Sequence, residues 1–320
     1  MTAQIIDGLK IAESLQLEVV REVKELEADG IACGMATLLI GADYSSRSYE
    51  RRLKRIADQL GMPCWQVRLP GESTQDDVLA ALRRLNGDPA VSGILVLRPL
   101  PEHISEVEVF RALSPLKDIE SVHPENAGLL ALGRPRYVPS TAASVFYVLD
   151  EWLDQAGENR SDFYHRSLIV VVGRSNNVGK PAVSLAYDRQ AAVESVDEWA
   201  SQNHRLGRHT RRADVLIVAA GVRGLISSEH IREGAVVLDV GINPVTDPET
   251  GTVRIVGDVN LADVAPRARA ITPVPGGIGP VTDLWLLRNT VSAARNATQA
   301  ERPSSAAAGA SAADPERGDR

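Results

Sequence analysis

Apolar residues Ile11, Leu15, Val19, Val23 and Leu26 recur at spacings of four and three, which places them on one face of a helix that ends near Asp29-Gly30. The run Ala36 to Ile40 reads as a buried strand. Ser45 to Leu60 follows as a helix closed by Gly61, Trp65 to Leu69 as a strand, Thr74 to Leu85 as a helix, and Ile94 to Leu97 as a strand. Short aliphatic runs alternating with helices of ten or more residues mark a parallel sheet covered on both faces, because each parallel connection must carry the chain back across the sheet. The first half is therefore expected to be α/β.

Glycine and proline punctuate Pro115 to Tyr137, which is expected to be a loop, and a helical stretch over Thr141 to Leu153 then bridges two domains. A second alternating series follows, with strands at Leu168 to Val172, Val193 to Val196, Val215 to Ala219 and Val236 to Val240. A helix starts after Gly179 and a shorter one precedes Asp214. This predicts a second doubly wound domain. After a helical run over Val281 to Asn296, the segment Ala297 to Arg320 holds Ala, Ser, Pro and charges without periodicity, and is expected to be disordered. No internal repeat is visible.

The length of 320 residues fits about two domains. No stretch approaches the roughly 20 apolar residues of a membrane helix. The 35 basic against 42 acidic side chains give a net charge of −7, which argues against nucleic acid and anionic membranes as partners and leaves a small ligand. Cys33 and Cys64 lie far apart without metal-ligand or CxxC spacing, so free thiols in a reducing compartment are expected, and no metal site. The N-terminus shows no basic-then-apolar leader, so the expected location is the cytoplasm.

Two glycine-containing segments carry candidate chemistry. In Gly173-Arg-Ser175-Asn-Asn-Val178-Gly179-Lys-Pro181 a turn joins a buried strand to a helix, where backbone N–H groups and the helix dipole can hold phosphate. The pattern fails the strict G-x-G-x-x-G test, and it fails the phosphate-loop test of triphosphatases because Pro181 stands where Ser or Thr must hold magnesium. It reads either as a dinucleotide turn or as a plain strand-to-helix turn. The segment Ile271 to Thr282 combines three prolines with three glycines, which suits a loop pressed against a ligand, an interdomain hinge, or both.

Together with Ile5-Ile6-Asp7-Gly8, Ser46-x-x-Tyr49, Gly93-Ile-Leu-Val-x-x-Pro99-Leu-Pro101, Lys117-Asp118, His123-Pro124-x-Asn126-x-Gly128, Asp239-Val-Gly241-Ile242-Asn243 and Gly257-Asp258-Val259, these segments resemble the bifunctional methylenetetrahydrofolate dehydrogenase/methenyltetrahydrofolate cyclohydrolase family from about residue 3 to 296. The resemblance implies a folate domain over 1–146, completed by the helix 281–296, and a Rossmann-like dinucleotide domain over 147–280 with folate in the cleft between them. It implies NADP or NAD as cofactor, tetrahydrofolate as substrate carrier, and a homodimer. Tyr49 and Glu120 would be catalytic, with Ser46, Leu53, Leu97, Pro273, Gly276 and Gly277 completing the folate subsite. Gly173, Arg174, Ser175, Val178, Gly179, Asp197 and Ile242 would contact the dinucleotide.

The departures matter as much. Where the family places a lysine four residues after the tyrosine, this chain has Leu53; the lysine's glutamine partner falls on Leu97, and an aspartate falls on Glu120. Lys54 is turned about 100° away along the helix and is a poor substitute; rapid hydrolysis would point to Lys54 or, with its longer reach, Arg98 as the replacement. Hydrolysis of the methenyl product is therefore doubtful, and a non-catalytic or repurposed relative is the alternative. Asp197 and Glu198, after the strand Val193 to Val196, would repel a 2′-phosphate and lean the choice to NAD, with Arg205, Arg208 and Arg211 as candidate phosphate rescuers.

Overall fold

The computed structural model describes residues 3–202, 204–246 and 251–301. In chain order the first elements are β1 (Gln4–Ile5), α1 (Gly8–Ala28), β2 (Met35–Ile40), α2 (Tyr44–Gln59), β3 (Cys64–Leu69), α3 (Gln75–Gly87), β4 (Gly93–Val96), α4 (Glu106–Ala112), α5 (Pro124–Ala131) and α6 (Ser140–Gln155). They are followed by α7 (Arg160–Arg166), β5 (Leu168–Val172), α8 (Gly179–Asp188), β6 (Ala192–Val196), α9 (Glu198–Gln202), α10 (Leu206–Thr210) and β7 (Val215–Val218). The last are β8 (Val236–Asp239), β9 (Asn243–Thr246), β10 (Val253–Val256), α11 (Leu261–Val264), β11 (Ala270–Ile271) and α12 (Ile278–Glu301).

Two parallel sheets result, one ordered β3-β2-β4 and one ordered β1-β11-β8-β7-β5-β6. Their strands alternate sides with period two, yet both sides are apolar. Met35 and Leu39 of β2 enter a large central core, while Ala36, Leu38 and Ile40 meet Val78 and Leu82 of α3. In the larger sheet Ile169, Val171, Ile217 and Leu238 enter the same central core, and Val170, Val172, Leu216 and Val237 face a separate one. Burial on both faces is why these strands read as unbroken aliphatic runs. Residues from α1, α6 and α12 fill the space between the sheets, so one core joins the two halves.

The start of α1 is tied to the proline-glycine loop. Asp7 caps the helix by accepting the N–H groups of Leu9 and Lys10 at 3.0 and 3.2 Å. The Gly8 N–H donates to the Gly276 carbonyl at 2.9 Å, and a Cβ on Gly8 would stand 1.8 Å from the Gly277 carbonyl oxygen. Only glycine permits that approach.

Several expectations need correction. Pro115 to Tyr137 is not all loop, because Pro124 occupies the first turn of α5, where its missing N–H costs nothing, and His123 caps that helix. The short α4 and α7 are too brief to show a period, and the half-exposed β9–β10 hairpin lacks an aliphatic run. Residues 297–301 are helical, since good helix formers extend an existing helix without a new nucleation cost; the rest of the expected disordered tail lies outside the described residues. No helix among the described residues is long and apolar enough to cross a membrane.

Candidate active site

A cleft of about 1060 Å³ opens where β4, α2, the 273–280 loop and the C-terminal end of β8 converge. Tyr49, Leu97 and Glu120 line it from one side, and Asn177, Gly241 and Ile242 from the other. Pro273, Gly276 and Gly277 form part of its wall. Ser46 and Leu53, expected in the folate subsite, do not line it. Ser46 ties the first turn of α2 in place, with its N–H and hydroxyl on Asp43 and its Oγ 2.9 Å from the Arg98 carbonyl oxygen. Leu53 is fully buried in the central core; Leu97 joins the same core and alone of the two forms part of the cleft's apolar lining.

The Glu120 carboxyl is pushed up to about 7 by burial, against the opposing pull of the Ser140 hydroxyl and N–H at the start of α6. Its loop is organised by Asp118, whose buried carboxylate accepts the N–H groups of Val122 and His123 and the Asn126 amide at 2.8–3.1 Å. This explains the Lys117-Asp118 and His123-Pro124-x-Asn126 signatures as scaffold. Asp239 does the same for the opposite wall, accepting from Gly241, Asp258 and Val259, while Asp258 accepts from Ala220, Gly221 and the Asn243 amide.

The Tyr49 hydroxyl is pushed well above its ordinary range by burial and by the carboxylates of Asp283 and Glu120. Over its ring, 5.2 Å from the centroid, lies the Arg52 guanidinium, which pairs through Nε and Nη2 with the buried Asp283 carboxylate at 3.0 and 3.1 Å. The sequence reading missed both residues. The available signals were the i, i+3 spacing of Arg52 from Tyr49 and a lone acid on the otherwise aliphatic start of α12. Lys54 is turned away onto Asp58 at 2.7 Å, as expected. Arg98 reaches the cleft wall, with its guanidinium between Glu106 and the Phe110 ring.

The glycine turn sits at the C-terminal end of β5, whose neighbours β6 and β7 leave on opposite sides, the place where open α/β sheets take their ligands. Gly173 has φ +114°, and a Cβ there would lie 2.1 Å from the Ala219 carbonyl oxygen, so the turn folds tightly enough to bring bare backbone to the surface. The Ser175 hydroxyl accepts from the N–H groups of Val178 and Gly179 at the start of α8. This tight turn, with glycine at both ends and backbone N–H groups at the start of α8, fits a pyrophosphate. Arg174 leaves the turn sideways, donating from Nη1 to Asp197 and from Nη2 to the Ser195 carbonyl, both at 2.8 Å. Of this turn, Asn177 is the residue that reaches the cleft wall. Among the described residues no cluster of His, Cys, Asp and Glu could hold a metal ion.

The sequence profile for the catalytic domain of tetrahydrofolate dehydrogenase/cyclohydrolase matches residues 6–120, and that for its NAD(P)-binding domain matches residues 139–298. Bifunctional protein FolD 3 of Rubrobacter xylanophilus is 58% identical over 94% of this chain and 95% of its own length. FolD 2 of Geobacter sulfurreducens is 43% identical over 94% and 100%. The Trypanosoma brucei methylenetetrahydrofolate dehydrogenase-cyclohydrolase, solved with NADP and an inhibitor, superposes with a TM-score of 0.85 at 34% identity, covering 93% of this chain and 99% of that one. The Campylobacter jejuni enzyme gives 0.84 at 33% identity over 92% and 99%. With both domains matched in order and relatives aligned along nearly its full length, the chain belongs to the tetrahydrofolate dehydrogenase/cyclohydrolase family.

Proposed function

We propose that this protein oxidises 5,10-methylenetetrahydrofolate to the 5,10-methenyl cation with NAD in preference to NADP, and that it hydrolyses the methenyl product poorly. The observation that carries the reading is a single cleft walled on one side by Tyr49, Glu120 and the 273–280 loop and on the other by Asn177 and Ile242, beside the turn of β5. The dinucleotide supplies a hydride acceptor for the one-carbon bridge. Glu120, when ionised, offers a carboxylate to the amino and ring N–H groups of the pterin, and Tyr49 shapes the adjoining wall.

The Gly173 to Gly179 backbone, with Ser175, would hold the pyrophosphate. Asp197 accepts ribose hydroxyls and, with Glu198, disfavours a 2′-phosphate, which would have to compete with the Asp197 carboxylate for Arg174. Arg211 is likewise drawn elsewhere, onto the Glu229 carbonyl at 3.0 Å. Hydrolysis needs a positioned group to steer water onto the bridge carbon. Leu53 and Leu97 offer no proton and no charge. An assay that follows methenyl formation and decay by absorbance with each dinucleotide tests the reading: methenyl should build up with NAD, whereas no dinucleotide reduction would favour a non-catalytic folate binder.

The free thiols of Cys33 and Cys64 support a reducing, cytoplasmic setting. The outer strand β6, near exposed Tyr187 and Trp199, supports pairing with a second copy, which light scattering across a dilution series would detect as a dimer.

A further inference from the structure

The cleft does not end at Tyr49. It continues along α2 past Arg52, Arg55 and Gln59, opposite Glu13 and Gln16 of α1, and the ten residues from Tyr49 to Gln59 span roughly 15 Å at the helical rise. A pterin seated by Glu120 would direct the remainder of the substrate, a benzoyl group ending in an amino-acid dicarboxylate, into this extension.

Two cations stand there. Arg52 commits Nε and Nη2 to Asp283, whose side chain is only 6% exposed, and has no protein partner for Nη1 among the described residues. Because Arg52 lines the cleft and keeps 48% of its side chain exposed, its remaining donors are accessible to a ligand. Arg55 lines the same extension, one turn along the same helix, with neither an ion pair nor a hydrogen bond among the described residues. The charges opposing them are Glu13 across the groove and Asp283 itself.

We propose that Arg52, held rigid by Asp283 and by the Tyr49 ring, is a specificity-determining residue that binds a carboxylate of the substrate's glutamyl tail, with Arg55 as its second cation. A guanidinium locked on one edge presents its free N–H donors without further loss of side-chain freedom, which suits a carboxylate acceptor. This inference rests on the folate reading given above.

The experiment compares 5,10-methylenetetrahydrofolate with 5,10-methylenetetrahydropteroate, which lacks the glutamate. The unmodified enzyme should show a KM for the pteroate about tenfold above that for the folate. Arg52→Ala should raise the folate KM by about tenfold, with kcat and the dinucleotide KM within twofold, and leave the pteroate KM unchanged; Arg52→Lys should recover part of the loss. Arg55→Ala should act in the same direction more weakly, and Glu13→Gln should lower the folate KM. Equal rises in KM for both substrates in Arg52→Ala would overturn the proposal and reduce the pair to a clamp between α2 and α12. No discrimination by the unmodified enzyme would overturn it too. If neither substrate turns over, the dehydrogenase reading fails, and equilibrium binding of both compounds to the same variants still decides the tail contact.

Discussion

Arg174 and Asp197 are 23 residues apart in sequence, yet they face each other across the ends of β5 and β6 with Nη1 and Oδ2 separated by 2.8 Å. Exposed pairs of this kind add little stability. The consequence lies in recognition, because on the proposed reading a 2′-phosphate would have to compete with the Asp197 carboxylate for this guanidinium. NADH should bind about tenfold more tightly than NADPH, measured by tryptophan quenching at matched salt. Asp197→Ser should narrow or invert that ratio by freeing Arg174. A preference for NADPH in the unmodified protein would point to Arg205 or Arg208 as a phosphate clamp.

The buried Leu53 and the cleft-lining Leu97 lead to a second expectation. Leu53 is fully buried, so Leu53→Lys alone places an unpaired ammonium in the core and should cost ~3 kcal/mol or more, seen as a lower Tm. Adding Leu97→Gln should recover part of that loss by providing a partner, and the double variant should hydrolyse supplied 5,10-methenyltetrahydrofolate about 10²-fold faster than the parent. A double variant that folds but hydrolyses no faster would show that these two positions do not decide the activity.

Glu120 sets a pH dependence of defined sign. Its folded pKa, about 7, lies above the ordinary glutamate value of 4.5, so the native state holds the proton more tightly than the unfolded chain. Its contribution to stability is therefore greatest below pH 4.5 and is lost as pH rises through 7. Glu120→Gln should leave Tm nearly unchanged at pH 4.5 and raise it at pH 8. On the proposed reading the same carboxylate must be ionised to hold the pterin, so kcat/KM for the folate should fall below pH 7 in the parent. Glu120→Gln should lose that limb along with most of its folate affinity. A stabilisation equal at both pH values would show that the carboxyl is not desolvated.

Much of this fold was legible because burial on both faces writes itself into sequence as aliphatic runs: Leu168 to Val172 could hardly be anything but a central parallel strand. Elements of less than two turns, such as α4 and α7, carry no period to read. Pro124 signalled a break when it in fact began a helix, because a proline's effect depends on which side of it the helix lies. At the site, motif residues were found but their division of labour was not. Asp118, Asp239 and Asp258 spend their carboxylates on backbone N–H groups and build the walls, which only three-dimensional partners reveal. Arg52 and Asp283, 231 residues apart in sequence, join α2 to α12, beyond the reach of any local pattern.

A fourth expectation concerns the dinucleotide turn. Gly173→Ala adds a Cβ that would stand 2.1 Å from the Ala219 carbonyl oxygen in a backbone conformation with φ +114°. The turn must open, so dinucleotide affinity should fall at least tenfold, while folate binding, read by titration, changes little. Parallel loss of both ligands would mean that the turn supports the whole molecule rather than the nucleotide site.

On the proposed reading the protein carries out the oxidation and hydrolyses the methenyl product poorly. Mixing the unmodified enzyme with 5,10-methylenetetrahydrofolate and NAD while recording methenyl absorbance tests it most directly. Methenyl should rise in step with NADH and then decay at the rate seen in buffer alone. NADH formation with no methenyl build-up, and 10-formyltetrahydrofolate appearing at the same rate, would contradict it.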